Sequence, residues 1–139
     1  MTPLPQLKTR LAEIIDLRHA SSLIGWDQQT YMPIGGGAAR AEQSATLQKI
    51  THEMFTAEET GRLLDAAAAE TIDLDPDSDE ARLVAVTRRD YEKAVKVSSK
   101  LVAEIARATG QAIEVWTQAR AQSNWAPFSP YLARIIDLQ

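Results

Sequence analysis

The first candidate for chemistry in this sequence is a histidine followed by a glutamate, His52-Glu53, with Thr56 four residues after the histidine. Two histidines one helical turn apart, with a glutamate after the first, form the zinc-binding HExxH motif, in which the glutamate activates water. Here Thr56 stands where the second histidine belongs, and a hydroxyl is a poor substitute for imidazole. The only other histidine in the sequence, His19, is predicted on a different helix. We therefore interpret His52 as a helix-end histidine beside a surface acid.

A second candidate is a run of alternating acids with the spacing of oxygen ligands in a calcium-binding EF loop. The run consists of Asp73, Asp75, Asp77 and Asp79. Two positions do not fit the loop, because Ser78 occupies the glycine position and Val84 stands where the bidentate glutamate belongs. Pro76 also lies inside the run. The pattern favours an acidic linker that feeds a helix N-terminus, where negative charge is stabilised by the helix dipole.

Two further groups of residues are predicted to have a structural role and not to bind a ligand. The three glycines Gly35 to Gly37 precede a predicted helix, but no strand leads into them and no Gly-Lys-Ser/Thr follows, so a turn is predicted instead of a phosphate loop. Asp90 and Glu92 interrupt the densest group of positive charges. That group is Arg88, Arg89, Lys93, Lys96 and Lys100. It is predicted to be a solvated helix face and not a polyanion site.

Asp27 is harder to explain as a surface residue, because it follows a tryptophan, Trp26, that we predict to be buried. A buried carboxylate needs a partner, and Arg40, Gln28 or a helix N-terminus are the candidates. The role predicted for Asp27 is therefore structural. The three tryptophans, Trp26, Trp116 and Trp125, are predicted to lie in the core. For Trp116→Ala a loss of about 3 to 5 kcal/mol is expected on that basis.

The elements that must position these residues are all predicted to be helices, because glycines are few and helix-forming residues dominate. The first helix starts near Leu4 and ends at Met32-Pro33. The second begins after the glycines, and its small residues Ala38, Ala41 and Ala45 allow a neighbouring helix to approach closely.

Capping residues locate the later helices. Thr56 with Glu59, and Asp77 with Glu80, have the form of capping boxes at the start of the third and fourth helices. Ser98 or Ser99 caps a fifth helix, predicted to be the longest at about 25 residues. Gly110 lies inside this helix at a cost of about 1 kcal/mol. The sixth helix has Ser129 as its N-cap and Pro130 as its first residue.

Composition narrows the class of protein. The 139 residues suffice for one domain with an apolar core, and we predict a single helical domain or fragment over residues 1–139. The absence of cysteine, together with an N-terminus unlike a signal peptide, predicts a cytoplasmic location. No segment approaches the ~20 apolar residues that span a bilayer, so no membrane association is expected. The net charge of -4 argues against nucleic acid as a partner.

Several motifs of the chain occur in a characteristic order. They are Leu11 to Leu17, Trp26-Asp27-Gln28, Met32-Pro33, Gly35-Gly36, Arg40-Ala41-Glu42-Gln43, His52-Glu53, Arg89 with Tyr91, Leu101-Val102, Trp116 with Ala119-Arg120, and Phe128, Pro130 and Leu132. In this order they resemble the N-terminal region of the carboxypeptidase Taq family, over essentially the whole chain. Two departures, at Ser98-Ser99 and Asn124-Trp125, do not affect the chemistry.

The resemblance implies an all-α fold, with five to six helices in an antiparallel array that form a fragment of a larger helical metallopeptidase. It further implies a zinc metallocarboxypeptidase that releases C-terminal residues from peptides, usually as a homodimer. In that family an HExxH helix and a downstream glutamate bind zinc. These elements lie beyond the matched region, so we expect no zinc on this chain and no activity from it alone. The fragment is expected to act as a scaffold or as a lid over the substrate cleft.

No residue here is given a catalytic or metal-binding role, and no substrate-binding residue is identified. The residues that carry the resemblance, called the signature residues below, are predicted to be structural. They are Trp26, Asp27, Gln28, Met32, Pro33, Arg40, Glu42 and Gln43. An alternative hypothesis is a free-standing, non-catalytic helical interaction module.

Overall fold

The computed structural model describes residues 2–139, which form six helices and no strand. The helices are α1 (Pro3–Thr30), α2 (Gly37–Thr56), α3 (Glu58–Glu70), α4 (Asp79–Ala94), α5 (Ser99–Ala121) and α6 (Ser129–Asp137). The predicted all-α class and the number of helices are confirmed. Among the described residues, no helix combines the length and the apolar character that a membrane span requires.

The first helix, and not the fifth, is the longest. It has 28 residues against 23 in α5. The polar stretch from Arg18 to Ser22, in the middle of α1, does not end the helix. Ala, Leu, Arg and Gln on both sides of it continue to favour helix. It ends at Thr30, just before Met32-Pro33, where proline cannot supply a backbone donor.

The chain divides into two compact units, which are described separately. The first contains the residues up to Leu17 together with Thr51–Ser98, and the second contains Arg18–Ile50 together with Ser99–Gln139. The interpretation of residues 1–139 as a single domain or fragment remains a prediction.

The core of the first unit is formed by leucines of α1 and α3 with a valine of α4. Its buried members are Leu4, Leu7, Leu64, Ala67 and Val84. A polar contact lies beside this core: Arg10 donates to the carbonyl oxygen of Met54 at 3.3 Å, and Thr60 donates to the same carbonyl at 2.8 Å. The end of α2 is thereby tied to α1 and α3, and its terminal carbonyl is satisfied.

The second unit is held by very small residues. Ala45 is buried in a cluster with Ala103 and Ala106. One turn earlier on α2, Ala41 faces Gly110 so closely that a Cβ atom on Gly110 would lie 2.9 Å from the Cβ of Ala41. The predicted close approach at Ala41 and Ala45 is therefore confirmed, whereas Ala38 is exposed. The contact also explains a glycine inside α5, since only glycine leaves the needed space.

Three predicted N-caps were wrong by one residue. Thr56 still belongs to α2 and donates to the carbonyl of His52 at 2.8 Å, so Ala57 takes the N-cap position of α3 without a side-chain bond. Ser78 caps α4 by accepting from the backbone N–H of Ala81.

At α4, Asp77 forms an ion pair with Arg82 at 2.7 Å and does not cap the helix. At α6, Phe128 occupies the N-cap position, and Ser129 is the first helical residue. The fifth helix begins at Ser99, in agreement with the predicted boundary at Ser98 or Ser99. A one-residue shift leaves the helices intact because the terminal turn of a helix frays, so its first residue can differ by about one position.

The three tryptophans do not lie in the core. Trp26 is 57% exposed, Trp116 is 44% exposed and Trp125 is 59% exposed. The prediction of burial failed because helical spacing identifies a shared face and does not say whether that face is covered. The expected loss of about 3 to 5 kcal/mol for Trp116→Ala assumed a fully buried ring and does not hold for a half-exposed one.

The two helical glycines Gly25 and Gly110 provide a matched test of the packing. Gly110→Ala is expected to destabilise the chain by about 1 to 3 kcal/mol, because the new methyl group would overlap Ala41. Gly25→Ala places its methyl group where no heavy atom lies within 4 Å, so it should stabilise α1 by up to about 1 kcal/mol. Urea denaturation followed by circular dichroism measures both. Equal effects of the two substitutions would contradict the close approach of α2 and α5.

Candidate functional site

The signature residues lie at the junction between α1 and α2, within the second unit. The last turn of α1 is closed by Asp27, whose backbone carbonyl accepts from Tyr31 at 3.0 Å and from Met32 at 2.9 Å. A turn follows in which Gly36 donates to the carbonyl of Pro33 at 2.9 Å. Gly35 has φ of +85°, a left-handed conformation that glycine adopts without strain. These bonds bring the end of α1 next to the start of α2.

The side chain of Asp27 is bound by α2. Arg40 donates from Nε to Oδ2 of Asp27 at 2.6 Å, and both side chains are partly buried. A second nitrogen of the same guanidinium donates to the side-chain oxygen of Gln43 at 3.0 Å. Of the three predicted candidates for the partner of Asp27, the structure shows Arg40. The bond is charge-assisted and links residues on both sides of the turn.

Gln28, the next residue, reaches α5 instead. Its side-chain amide donates to the backbone carbonyl of Gly110 at 3.0 Å. Gly110 thus contributes twice, since it leaves room for Ala41 and its carbonyl accepts the bond from Gln28. The junction of α1 and α2 is fixed against the middle of α5.

Glu42 connects α2 to α5 by a bidentate ion pair. Arg107 donates to its two carboxylate oxygens at 2.5 and 3.0 Å. The hydrogen bond from Arg107 lowers the pKa of Glu42 below its ordinary value of 4.5, with its positive charge adding to the effect. The same bond raises the pKa of the Arg107 guanidinium above its ordinary value. The pair is on the surface, so it fixes geometry more than it adds free energy.

The remaining signature residues shape the turn. A Cβ atom on Gly36 would lie 2.9 Å from Cγ of Met32 and 3.0 Å from the carbonyl oxygen of Pro33. At Gly37, where α2 begins, a Cβ atom would overlap the carboxylate of Glu114 from α5. Negative charge at a helix N-terminus is favourable. The turn therefore requires glycine for space at Gly36 and for conformation at Gly35, whereas a side chain at Gly37 would displace the flexible carboxylate of Glu114.

Seven of the eight signature residues thus serve the joint between α1, α2 and α5, and the eighth, Trp26, is exposed. Three contributors were not found from the sequence: the carbonyl of Gly110, the guanidinium of Arg107 and the carboxylate of Glu114. The only sequence signal was a glycine inside α5. Arg107 and Glu114 are separated from their partners by more than 60 residues, and no local pattern connects them.

The residues present do not fit a zinc site. Nε2 of His52 makes a hydrogen bond with the carbonyl of Val97 at 2.7 Å, which ties α2 to the loop before α5. Across residues 2–139, no three histidine, aspartate or glutamate side chains are grouped as metal ligands. The arrangement therefore offers helix packing and no step of metal chemistry.

The other candidates have structural partners. In the acidic run, Asp75 accepts from the backbone N–H of Asp77 at 2.9 Å and its carbonyl accepts from Ser78 at 2.6 Å, which forms a turn before α4. In the basic group, Arg88 pairs with Asp65 at 2.6 Å and links α4 to α3.

Removing the guanidinium from the junction tests its structural role. Arg40→Met should destabilise the chain by about 1 to 2 kcal/mol, because the partly buried Asp27 carboxylate loses its charged donor. Arg62→Met is the control, since Arg62 is exposed and its ion pair with Glu58 is long, at 4.0 Å. The loss of stability in this variant should stay below about 0.5 kcal/mol. Denaturation midpoints in urea give both values. An Arg40 variant as stable as the Arg62 variant would refute the role of the junction.

The Glu42–Arg107 pair predicts a pH dependence. The pKa of Glu42 is lowered in the folded state, so its stabilising contribution is complete above about 4.5 and is lost as pH falls through the folded pKa. Glu42→Gln should therefore be less stable than the unaltered chain at neutral pH, with the difference shrinking in acid. Glu92→Gln, at an exposed position of α4, is the control for the loss of one exposed glutamate from a helix. Thermal unfolding between neutral pH and pH about 3 measures it, and a constant difference for Glu42→Gln would contradict the ion pair.

Comparison with known proteins places this joint in a family. Residues 6–139 match the model of the carboxypeptidase Taq (M32) metallopeptidase family. The thermostable carboxypeptidase 1 of Thermus thermophilus is 34% identical over 122 residues, which are 88% of this chain and 24% of the relative.

Two solved structures have the same fold. The crystal structure of BsuCP superposes with a TM-score of 0.91 at 25% identity. The match covers 99% of this chain and 27% of the BsuCP chain. The crystal structure of an M32 carboxypeptidase from Deinococcus radiodurans R1 superposes with a TM-score of 0.70 at 36% identity. The match covers 98% of this chain and 27% of the Deinococcus chain. The chain thus spans about a quarter of the length of the relatives that it matches. With the family model covering nearly all of its residues, the chain belongs to the carboxypeptidase Taq (M32) metallopeptidase family, as an N-terminal helical part of it.

Proposed function

We propose that this chain is the N-terminal helical part of a zinc metallocarboxypeptidase that releases C-terminal amino acids from peptides. The observation that carries the proposal is the family match over residues 6–139, supported by the superposition on a relative with a TM-score of 0.91. The role proposed for the chain itself is that of a scaffold or cleft lid. The zinc ligands and the catalytic glutamate belong to the part of the family fold outside the matched quarter.

The contacts of the acidic side chains support a scaffold role. Asp27 and Glu42 are each bound by an arginine of a neighbouring helix or turn, at 2.6 and 2.5 Å. A general base needs a carboxylate that can reach substrate and accept a proton. Here the hydrogen bond from Arg107 lowers the pKa of Glu42, which is opposite to the shift that such a base needs near neutral pH. These acids are therefore suited to holding helices in place.

The stiffness of the joint supports a wall or lid that moves as one body. The signature residues Asp27, Gln28 and Glu42 each bind a neighbouring helix. Together their interactions connect α1, α2 and α5. A lid requires rigid elements whose movement is absorbed at a few terminal positions. We also propose that the whole protein is a cytoplasmic homodimer with peptides as its substrates.

The alternative is a free-standing helical module that binds a partner without catalysis. The continuation of the reading frame after Gln139 separates the two hypotheses. An HExxH motif downstream supports the peptidase, and a stop codon supports the module.

Activity measurements test the proposal directly. The 139-residue chain should bind no stoichiometric zinc and release no amino acid from a peptide with a free C-terminus. A gene product that continues past Gln139 should do both, and a chelator should abolish its turnover. Zinc is measured by elemental mass spectrometry and turnover by amino-acid analysis.

As a control for folding, the same 139-residue sample should give a helical circular dichroism spectrum. Stoichiometric zinc with turnover in that sample would refute the assignment of catalysis to the rest of the fold. A longer product that binds zinc but cleaves only internal peptide bonds would refute the carboxypeptidase activity.

A further inference from the structure

Four large apolar side chains are exposed at the end of α1 and in the turn that follows it. These residues, called the α1 apolar face, are Leu23, Trp26, Tyr31 and Ile34. Tyr31 is 78% exposed and Ile34 is fully exposed. The rings of Trp26 and Tyr31 pack on each other with 5.6 Å between their centroids, so the face is ordered by its own contacts.

The signature stretch separates the two sides of α1 by helical geometry. Successive residues of a helix differ by about 100° in direction, so Leu23 and Trp26, three residues apart, share one face. Gln28 lies about 160° from Trp26, on the opposite side of the helix, and binds Gly110. Asp27 lies about 100° from Trp26, between the two sides, and binds Arg40. These two bonds fix the rotation of α1, so that Trp26 is held on the exposed side.

Trp26 and Tyr31 have the properties of residues that anchor protein interfaces. Large aromatic side chains held rigidly at low entropic cost are typical anchors of protein interfaces. Exposed apolar patches that are contiguous mark sites of association. Since the joint made by Asp27 and Gln28 fixes the face, its exposure does not result from a loose helix end.

The lengths of the relatives identify the occupant. The chain superposes over 99% of its length on a relative of which it covers 27%, so this conformation occurs in a protein that has about three quarters of its fold elsewhere. We propose that the α1 apolar face is the surface on which that remaining part of the M32 fold packs. The inference rests on the proposed function and deepens it, because it assigns the contact through which the scaffold meets the catalytic part.

A second aromatic surface in the same unit is a weaker candidate. Trp116, Trp125 and Phe128 line a cavity of about 330 Å³ beside the end of α5. Trp125 packs at 5.3 Å on Phe128, which is partly buried, and Arg120 lies over Trp116 at 5.4 Å. The ring that packs on Trp26, Tyr31, is by contrast 78% exposed, so that pair stays open as a whole. Trp125, exposed to the same degree as Trp26, therefore serves as the control.

The test uses a chimera in which this chain replaces the matching quarter of the Thermus thermophilus carboxypeptidase, with a protease site placed after Gln139. After cleavage, the two pieces should stay associated, and their dissociation constant is measured by fluorescence titration. Trp26→Ser should raise that constant at least about tenfold, as expected for a tryptophan at the centre of an interface. Trp125→Ser should change it less than about twofold.

A second pair of variants guards against an effect specific to tryptophan. Ile34→Ser should weaken the nicked complex, whereas Ile72→Ser should not, although Ile72 is 77% exposed in the turn after α3. In the 139-residue chain alone, all four variants should keep the unaltered melting temperature within about 2 °C, since each side chain is exposed.

The outcomes separate this inference from the proposed function. If the uncut chimera releases C-terminal amino acids but Trp26→Ser leaves the dissociation constant unchanged, the face is not the docking surface and the proposed function stands. If the unaltered chimera does not fold or has no turnover, the chain cannot replace the region that it matches, and both fail. If Trp26→Ser only converts a dimer of the 139-residue chain to monomer, the occupant is a second copy and the inference is overturned.

Discussion

The second unit depends on the close approach of α2 to α5 at Ala41 and Gly110. A single added methyl group at Gly110 would come within 2.9 Å of Ala41, which is closer than side-chain carbons approach each other. Because the helices are this close, the carbonyl of Gly110 is within reach of Gln28, and Arg107 is within reach of Glu42 at 2.5 Å. Glycine weakens a helix by about 1 kcal/mol, so its position inside α5 is explained by the packing and not by helix propensity.

Around this contact the charged residues act as connectors. Asp27 and Arg40 face each other across a turn that contains three glycines, and the partial burial of both side chains makes their bond stronger than an exposed pair. The Glu42–Arg107 pair is exposed and salt-screened, and its two parallel bonds contribute orientation. The polar residues of the signature stretch thereby form a joint among three helices.

The same turn of α1 carries exposed apolar side chains. Gln28 binds α5 on one side of the helix, whereas Trp26 points outward beside Tyr31 on the other. The two residues have opposite environments because two helical steps of about 100° leave their directions about 160° apart. The internal joint and the exposed face thus lie within three consecutive residues, and relatives about four times as long as this chain supply a candidate partner for that face.

Sequence alone determined the helical class, because helix-forming residues with few breakers leave no other regular structure for most of this chain. It also determined the family, the end of α1 at Met32-Pro33 and the small-residue approach at Ala41, since these depend on residue type and on neighbours in the chain. For Asp27 it left three candidate partners, among which the structure selected Arg40. Only the tertiary structure decided that Trp26 and Trp116 are exposed, that Arg107 binds Glu42 and that Gly110 accepts from Gln28. Periodicity defines a face but not its partner, and residues far apart in sequence meet only when helices have packed.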